Sequence, residues 1–155
     1  MTDLKEHQNE DMKFLATIFL LTLSMTLFSQ NVENYQWRKR VVIVYTSDIH
    51  SDVYRNQIAD LISDMPSWEE RKLVLIQVSQ NQYKMGTDED ASWQDIEHKD
   101  FWARAQKLKD PFTFELIGLD GGSKYVSNHF LPREQLFALI DGMPMRKAEL
   151  RGKND

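Results

Sequence analysis

The chain contains no cysteine. That absence excludes disulfides, thiolate metal sites, cysteine nucleophiles, thiol redox chemistry and lipoprotein anchoring through an N-terminal Cys. A basic excess is missing as well: 19 Lys and Arg stand against 24 Asp and Glu, a formal charge of −5. Polyanion binders usually carry the opposite balance, so nucleic acid is not an expected partner. Glycine and proline are scarce, 6 and 4 residues, and no linker rich in either, no repeat and no low-complexity tract occurs beyond Asn31. What is present is ordinary for a folded chain. With 155 residues, 41% hydrophobic and 28% charged, there is room for one domain and not comfortably for two. The same figures argue against a disordered chain and against a multi-span membrane protein.

Long apolar runs are confined to one place. No residue from Phe14 to Val32 is charged, and Phe14 to Phe28 is almost wholly apolar. Such a run behind a positive charge is the pattern of a secretory signal peptide. The eleven residues ahead of Met12 fit that pattern badly, with Lys5 outnumbered by Asp3, Glu6, Glu10 and Asp11. Reading from Met12-Lys13 resolves the conflict, so Met12 is the expected natural start. Cleavage is expected after Ser29 or Gln30, although Leu27-Phe28-Ser29-Gln30 departs from the small-x-small rule. The alternative is an uncleaved membrane anchor, for which Thr, Ser and Gln dilute the run. Either way residues 31–155 are expected to form a single domain outside the cytoplasm. That portion keeps 17 basic and 20 acidic residues once Lys5, Lys13 and the four acids named above are set aside.

Strand and helix signals alternate through this domain. Arg40 to Thr46 is β-branched and apolar, as for a strand buried on both faces. His50 to Met65 places Val53, Tyr54, Ile58, Leu61, Ile62 and Met65 at helical spacing, with Pro66 ending the helix. Lys72 to Ser79 predicts a second buried strand, parallel to the first through a right-handed crossover. In the less orderly stretch Gln80 to Asp110, the acids Asp88, Glu89 and Asp90 lead towards a helix expected at about Ser92 to Leu108. Phe112 to Leu119 and Ser123 to Ser127 predict a hairpin turned by Asp120-Gly121-Gly122. Pro132 then starts a helix that packs Leu136, Phe137, Leu139 and Ile140 inward and closes at Gly142. This order is that of an α/β thioredoxin-like three-layer sandwich, a central mixed sheet with helices on both faces.

The C-terminal half is distinctive. Leu116-Ile117-Gly118-Leu119-Asp120-Gly121-Gly122-Ser123-Lys124 precedes Leu136-Phe137-Ala138-Leu139-Ile140-Asp141-Gly142-Met143-Pro144-Met145-Arg146. With Trp37 and Arg40 before and in the first strand, Tyr54 and Gln57 in the first helix, and Glu70-Arg71 before the second strand, the chain from Tyr35 to Arg151 resembles the domain-of-unknown-function family 4174. That family also supplies modules of animal sushi-repeat-containing and coiled-coil-domain-containing matrix proteins, and its bacterial members combine a signal peptide with one domain. The resemblance implies a thioredoxin-like, peroxiredoxin-related fold in an extracytoplasmic protein. In thiol-active members of that superfamily a cysteine follows the first strand; here Ser47 to Val53 carries none. Pro111 is considered for the place of the superfamily's cis-proline, against the general preference of X-Pro bonds for trans.

Several residues are candidates for chemistry. Asp48, His50 and Asp52 alternate after the first strand and would face one way on an extended backbone, as a metal site requires. The plainer reading is a solvated loop in which Ser51 or Asp52 caps the helix. Asp95 and His98 would share a helix face while Glu97 would not. Asp88 to Lys99 fails as a calcium loop, with Trp93 at the glycine position and Lys99 at the bidentate one. Tyr35, Trp37, Tyr83, Trp93 and Trp102 could line a binding face or fill the core. Met143-Pro144-Met145-Arg146 reads either as gap-filling methionines with Arg146 paired to a carboxylate such as Asp141, or as a partner-binding edge. No cofactor is expected. The expected function is a secreted or periplasmic binding or structural module for an extracytoplasmic protein or glycan, meeting membrane only through an uncleaved signal segment. The alternative is a non-thiol enzyme using Asp, His or metal at the same edge.

Overall fold

A computed structural model describes residues 32–80, 82–86, 91–96 and 110–152. The apolar run Phe14 to Phe28, His98 and Trp102 lie outside the described residues. A short 3-10 turn at Val32–Tyr35 leads into β1 (Arg40–Thr46), whose seven residues are all buried. Then follow α1 (Asp52–Ile62), α2 (Met65–Glu70), β2 (Leu73–Ser79), β3 (Gln82–Met85), β4 (Gln94–Asp95), β5 (Phe112–Ile117), β6 (Ser123–Ser127), α3 (Arg133–Asp141) and α4 (Pro144–Arg151). The strands form one sheet in the order β4-β3-β2-β1-β5-β6. β1 and β2 run parallel from Arg40 opposite Leu73 to Thr46 opposite Ser79, and every other pairing is antiparallel.

Alternation along these strands makes two cores. On one face Val42, Val44, Leu75, Phe114 and Leu116 meet Tyr54 and Leu61 of α1, Trp68 of α2, and Leu136 and Ile140 of α3. On the other, Val41, Ile43, Tyr45, Ile76, Val78 and Ile117 receive Tyr35, Tyr83, Met85 and Ile96. Two helix ends are closed by side chains. Trp68 Nε1 donates to the carbonyl of Leu61 at 2.6 Å, satisfying a group that the last turn of α1 leaves open. Asp64 accepts from the backbone N–H of Ser67 and caps α2.

Three expectations are corrected. The helix expected from Ser92 does not begin there, because Gln94 and Asp95 pair with Tyr83 and Gln82 as an edge strand; residues 97–109 lie outside the described residues. The first long helix ends at Ile62, and Pro66 sits in the first turn of α2, where its missing N–H costs nothing. Leu139 faces solvent at 39% exposure while Phe137 packs against the core. Gly142 does close α3 as expected, in a right-handed conformation with its N–H on the carbonyl of Ala138. Beyond it Pro144 opens a further helix, α4, in its first turn.

Candidate functional site

The C-terminal edge of β1 holds Asp48, His50 and Asp52, and the local hydrogen bonds decide what they can do. Thr46 Oγ1 donates to the carbonyl of Asp48 at 2.8 Å and accepts from its N–H at 3.1 Å. The Asp48 carboxylate accepts from the backbone N–H of His50 at 2.8 Å, and Ser51 Oγ donates to the carbonyl of Asp48 at 2.8 Å. The segment is therefore a tight turn and not an extended strand, so the three side chains do not share a face. Asp52 lies in the first turn of α1 and pairs with Arg55 at 2.6 Å, both exposed; neither Ser51 nor Asp52 caps the helix through its side chain. Among the described residues no three His, Cys, Asp or Glu side chains converge as a metal ion would require. Pro111 does stand beside this edge, where its carbonyl accepts from Ser47 N at 2.9 Å and lies 3.3 Å from Ser47 Oγ. Its peptide bond is trans, as are all those among the described residues. Asp95 lies on β4 and so is not on a helix face.

At the opposite end of the sheet, where β1 and β2 begin, charged residues gather. Arg40, the first residue of β1, is 1% exposed. Its guanidinium forks onto Glu149 of α4 at 3.3 and 3.4 Å and donates to the carbonyl of Arg71 at 2.9 Å. Lys72 reaches the same Glu149 at 3.4 Å. Arg71 donates to Asp141 at 2.6 Å, with its guanidinium 4.4 Å from the centre of the Phe137 ring. Arg146, 1% exposed, donates from Nε to Asp141 at 3.2 Å and to the carbonyl and carboxylate of Glu70 at 2.9 and 2.7 Å. Asp141 thus bridges two arginines at the joint between α3 and α4.

Electrostatics agree with that geometry. Burial works against the Arg146 charge, but hydrogen bonds and attraction from Glu70 and Asp141 outweigh it and raise its pKa. Burial alone would raise Glu149, yet Arg40 and Lys72 hold it below the usual carboxylate range. Among the described residues two nitrogens, Arg40 Nε and Arg71 Nε, are buried without a partner.

The remaining family residues serve elsewhere. Gln57 clamps Leu131 from both sides, donating to its carbonyl at 2.9 Å and accepting from its N–H at 2.8 Å. In the β5–β6 turn the Asp120 carboxylate accepts from Gly122 N at 3.1 Å and Lys124 Nζ at 2.6 Å, which lowers its pKa. Gly121 takes φ of +78°, a conformation that L side chains rarely adopt, which is what favours glycine there. Met143 fills the core beside α3, whereas Met145 is 40% exposed and fills no gap. Tyr35, Tyr83 and Trp93 are half-buried core residues, while Trp37 is exposed.

Sequence reasoning missed Glu149 and Lys72. The available signal for Glu149 was its place one helical turn after Arg146. It also missed Gln77, the buried polar residue of β2, which accepts from the Tyr54 hydroxyl at 2.6 Å and donates to the carbonyl of Gly86 at 3.1 Å. Burial pushes the Tyr54 hydroxyl up to about 12.

A mixed sheet with β1 parallel to β2, helices packed on it and no sulfur at the edge where β1 ends is a thioredoxin-like architecture without a thiol. Two solved peroxiredoxin structures share it. The reduced 2-Cys peroxiredoxin of Plasmodium vivax aligns with a TM-score of 0.53 at 15% identity, covering 77% of this chain and 72% of that one. Thioredoxin peroxidase I of Plasmodium yoelii gives 0.51 at 18%, over 75% and 79%. At such identities the likeness is one of fold alone. No curated protein matches the chain. Residues 31–149 match the family described as Domain of unknown function (DUF4174), and the chain belongs to that family.

Proposed function

We propose that this protein is an exported binding or structural module, secreted or periplasmic, that uses a thioredoxin-like scaffold without thiol chemistry. The observation that carries the reading is the edge where β1 ends. The chain has no cysteine to place there, and Thr46, Asp48 and Ser51 close on one another in a turn. Without a thiolate nothing can attack a disulfide or a peroxide sulfur-wise. The expected partner is an extracytoplasmic protein or glycan, and Phe14 to Phe28 supports export.

Insulin reduction and thiol-dependent peroxide consumption test the chemical half of this reading. Both rates should match the buffer blank. Turnover that survives repurification and scales with this protein would overturn it.

A further inference from the structure

The pole where β1 and β2 begin differs from the rest of the surface in three independent ways. The first is Trp37, which adopts φ of +63°, a conformation rare for a bulky L-residue. It is fixed there by its own N–H on the carbonyl of Leu119 at 2.6 Å, by Arg38 N and Lys39 N on the carbonyl of Tyr35, and by Gln36 on the carbonyl of Asp120. Yet 64% of Trp37 stays exposed. Burial of the indole within the domain does not compensate the strained backbone.

The second is charge. Around the ion-pair group, where four cations already meet Glu70, Asp141 and Glu149, stand Arg38, Lys39, Lys147 and Arg151, all exposed and without an ion pair among the described residues. The further acids on the adjoining segments are Glu69, which is exposed, and Glu33 of the Val32–Tyr35 turn. A chain of net charge −5 therefore concentrates unpaired positive charge at one pole.

The third is connectivity. The apolar run ends at Phe28, nine residues before Trp37 in the sequence.

We infer that this pole is a contact surface for a bilayer bearing anionic phospholipid, with Trp37 as its interfacial aromatic. Indole rings favour the headgroup level, and each Lys or Arg near an anionic surface strengthens partitioning roughly fivefold. A soluble acidic protein would satisfy the cations, but it would leave an indole held exposed at positive φ without a role. The inference rests on reading Phe14 to Phe28 as membrane-directed.

The test uses the full chain with vesicles of phosphatidylcholine, alone or mixed with phosphatidylglycerol, carrying lipid brominated near the headgroup. The chain has four tryptophans, so the Trp37 signal is the difference between the parent and Trp37→Phe. Quenching of that signal is expected only with phosphatidylglycerol and should fade in high salt. It should weaken roughly fivefold for each of Lys147→Gln and Arg151→Gln. Co-sedimentation with vesicles while Trp37 stays unquenched, or is quenched equally in neutral lipid, overturns the inference. Failure to co-sediment at all removes the membrane-directed reading beneath it. A Trp37 response to polyglutamate but not to vesicles overturns it in favour of an acidic protein.

Discussion

Arg146→Ala removes the centre of the charge group, and the structure fixes what that costs. Deleting one partner of a buried ion pair costs about 3–5 kcal/mol when the orphaned charge stays buried. Here the orphans can rehydrate, since Glu70 and Asp141 retain side-chain exposures of 45% and 35%. Arg71 also still holds Asp141 at 2.6 Å. What is lost is a set of charge-assisted hydrogen bonds, about 1.5–3 kcal/mol each before compensation, together with the packing of a side chain that is 2% exposed. A net cost of about 2–4 kcal/mol follows. For a domain of this size each kcal/mol moves Tm by roughly 3–5 °C, so Arg146→Ala should melt roughly 10 °C lower by calorimetry. Arg146→Lys should recover only part of this, because a point charge cannot serve the Glu70 carbonyl, Glu70 and Asp141 together. Lys147→Ala, one residue on and exposed, should stay within about 0.5 kcal/mol of the parent. If Arg146→Ala melts with the parent, the guanidinium does not hold α4 to α2 and α3, and the structural reading of the group is wrong.

Gln57→Leu leaves both the N–H and the carbonyl of Leu131 buried and unpaired, at about 1–3 kcal/mol each. The urea midpoint should fall by roughly 1–2 M with the slope unchanged; an unshifted midpoint would mean that the clamp contributes nothing. The pH dependence follows from Glu149, whose pKa is lower in the folded chain than in the unfolded one. Its contribution is complete above the unfolded value of about 4.3 and is lost as pH falls through the lower folded value. Tm should therefore drop through that acid window, and the drop should be smaller in Glu149→Gln, which starts from a lower Tm. A Glu149→Gln curve parallel to the parent's would remove Glu149 as a source of acid lability.

The parts of the fold legible in the sequence are those set by short-range pattern. Arg40–Thr46 and Ser123–Ser127 form strands with the expected bounds, because β-branched runs and an Asp-Gly turn specify them locally. The parts that were not legible depend on distant partners. Gln94 and Asp95 follow acids that look like a helix start, but pairing with β3 across the sheet overrides them. β3 itself is short, though Tyr83 and Met85 do alternate towards the second core. Pro66 looks like a helix stop, whereas proline serves equally well in the first turn of a helix, where both Pro66 and Pro144 stand. Asp141 was a foreseeable partner for Arg146, five residues away. Glu70 was not, since it approaches Arg146 only once β2 and α3 have packed.

The central claim is that this thioredoxin-like domain works outside the cytoplasm, and one measurement addresses it most directly. The protein is purified from the periplasmic or secreted fraction of its native host, and its N-terminus is sequenced. The account predicts a mature chain beginning between Ser29 and Asn31. Recovery of the protein from the soluble cytoplasm with Met1 or Met12 intact would contradict it.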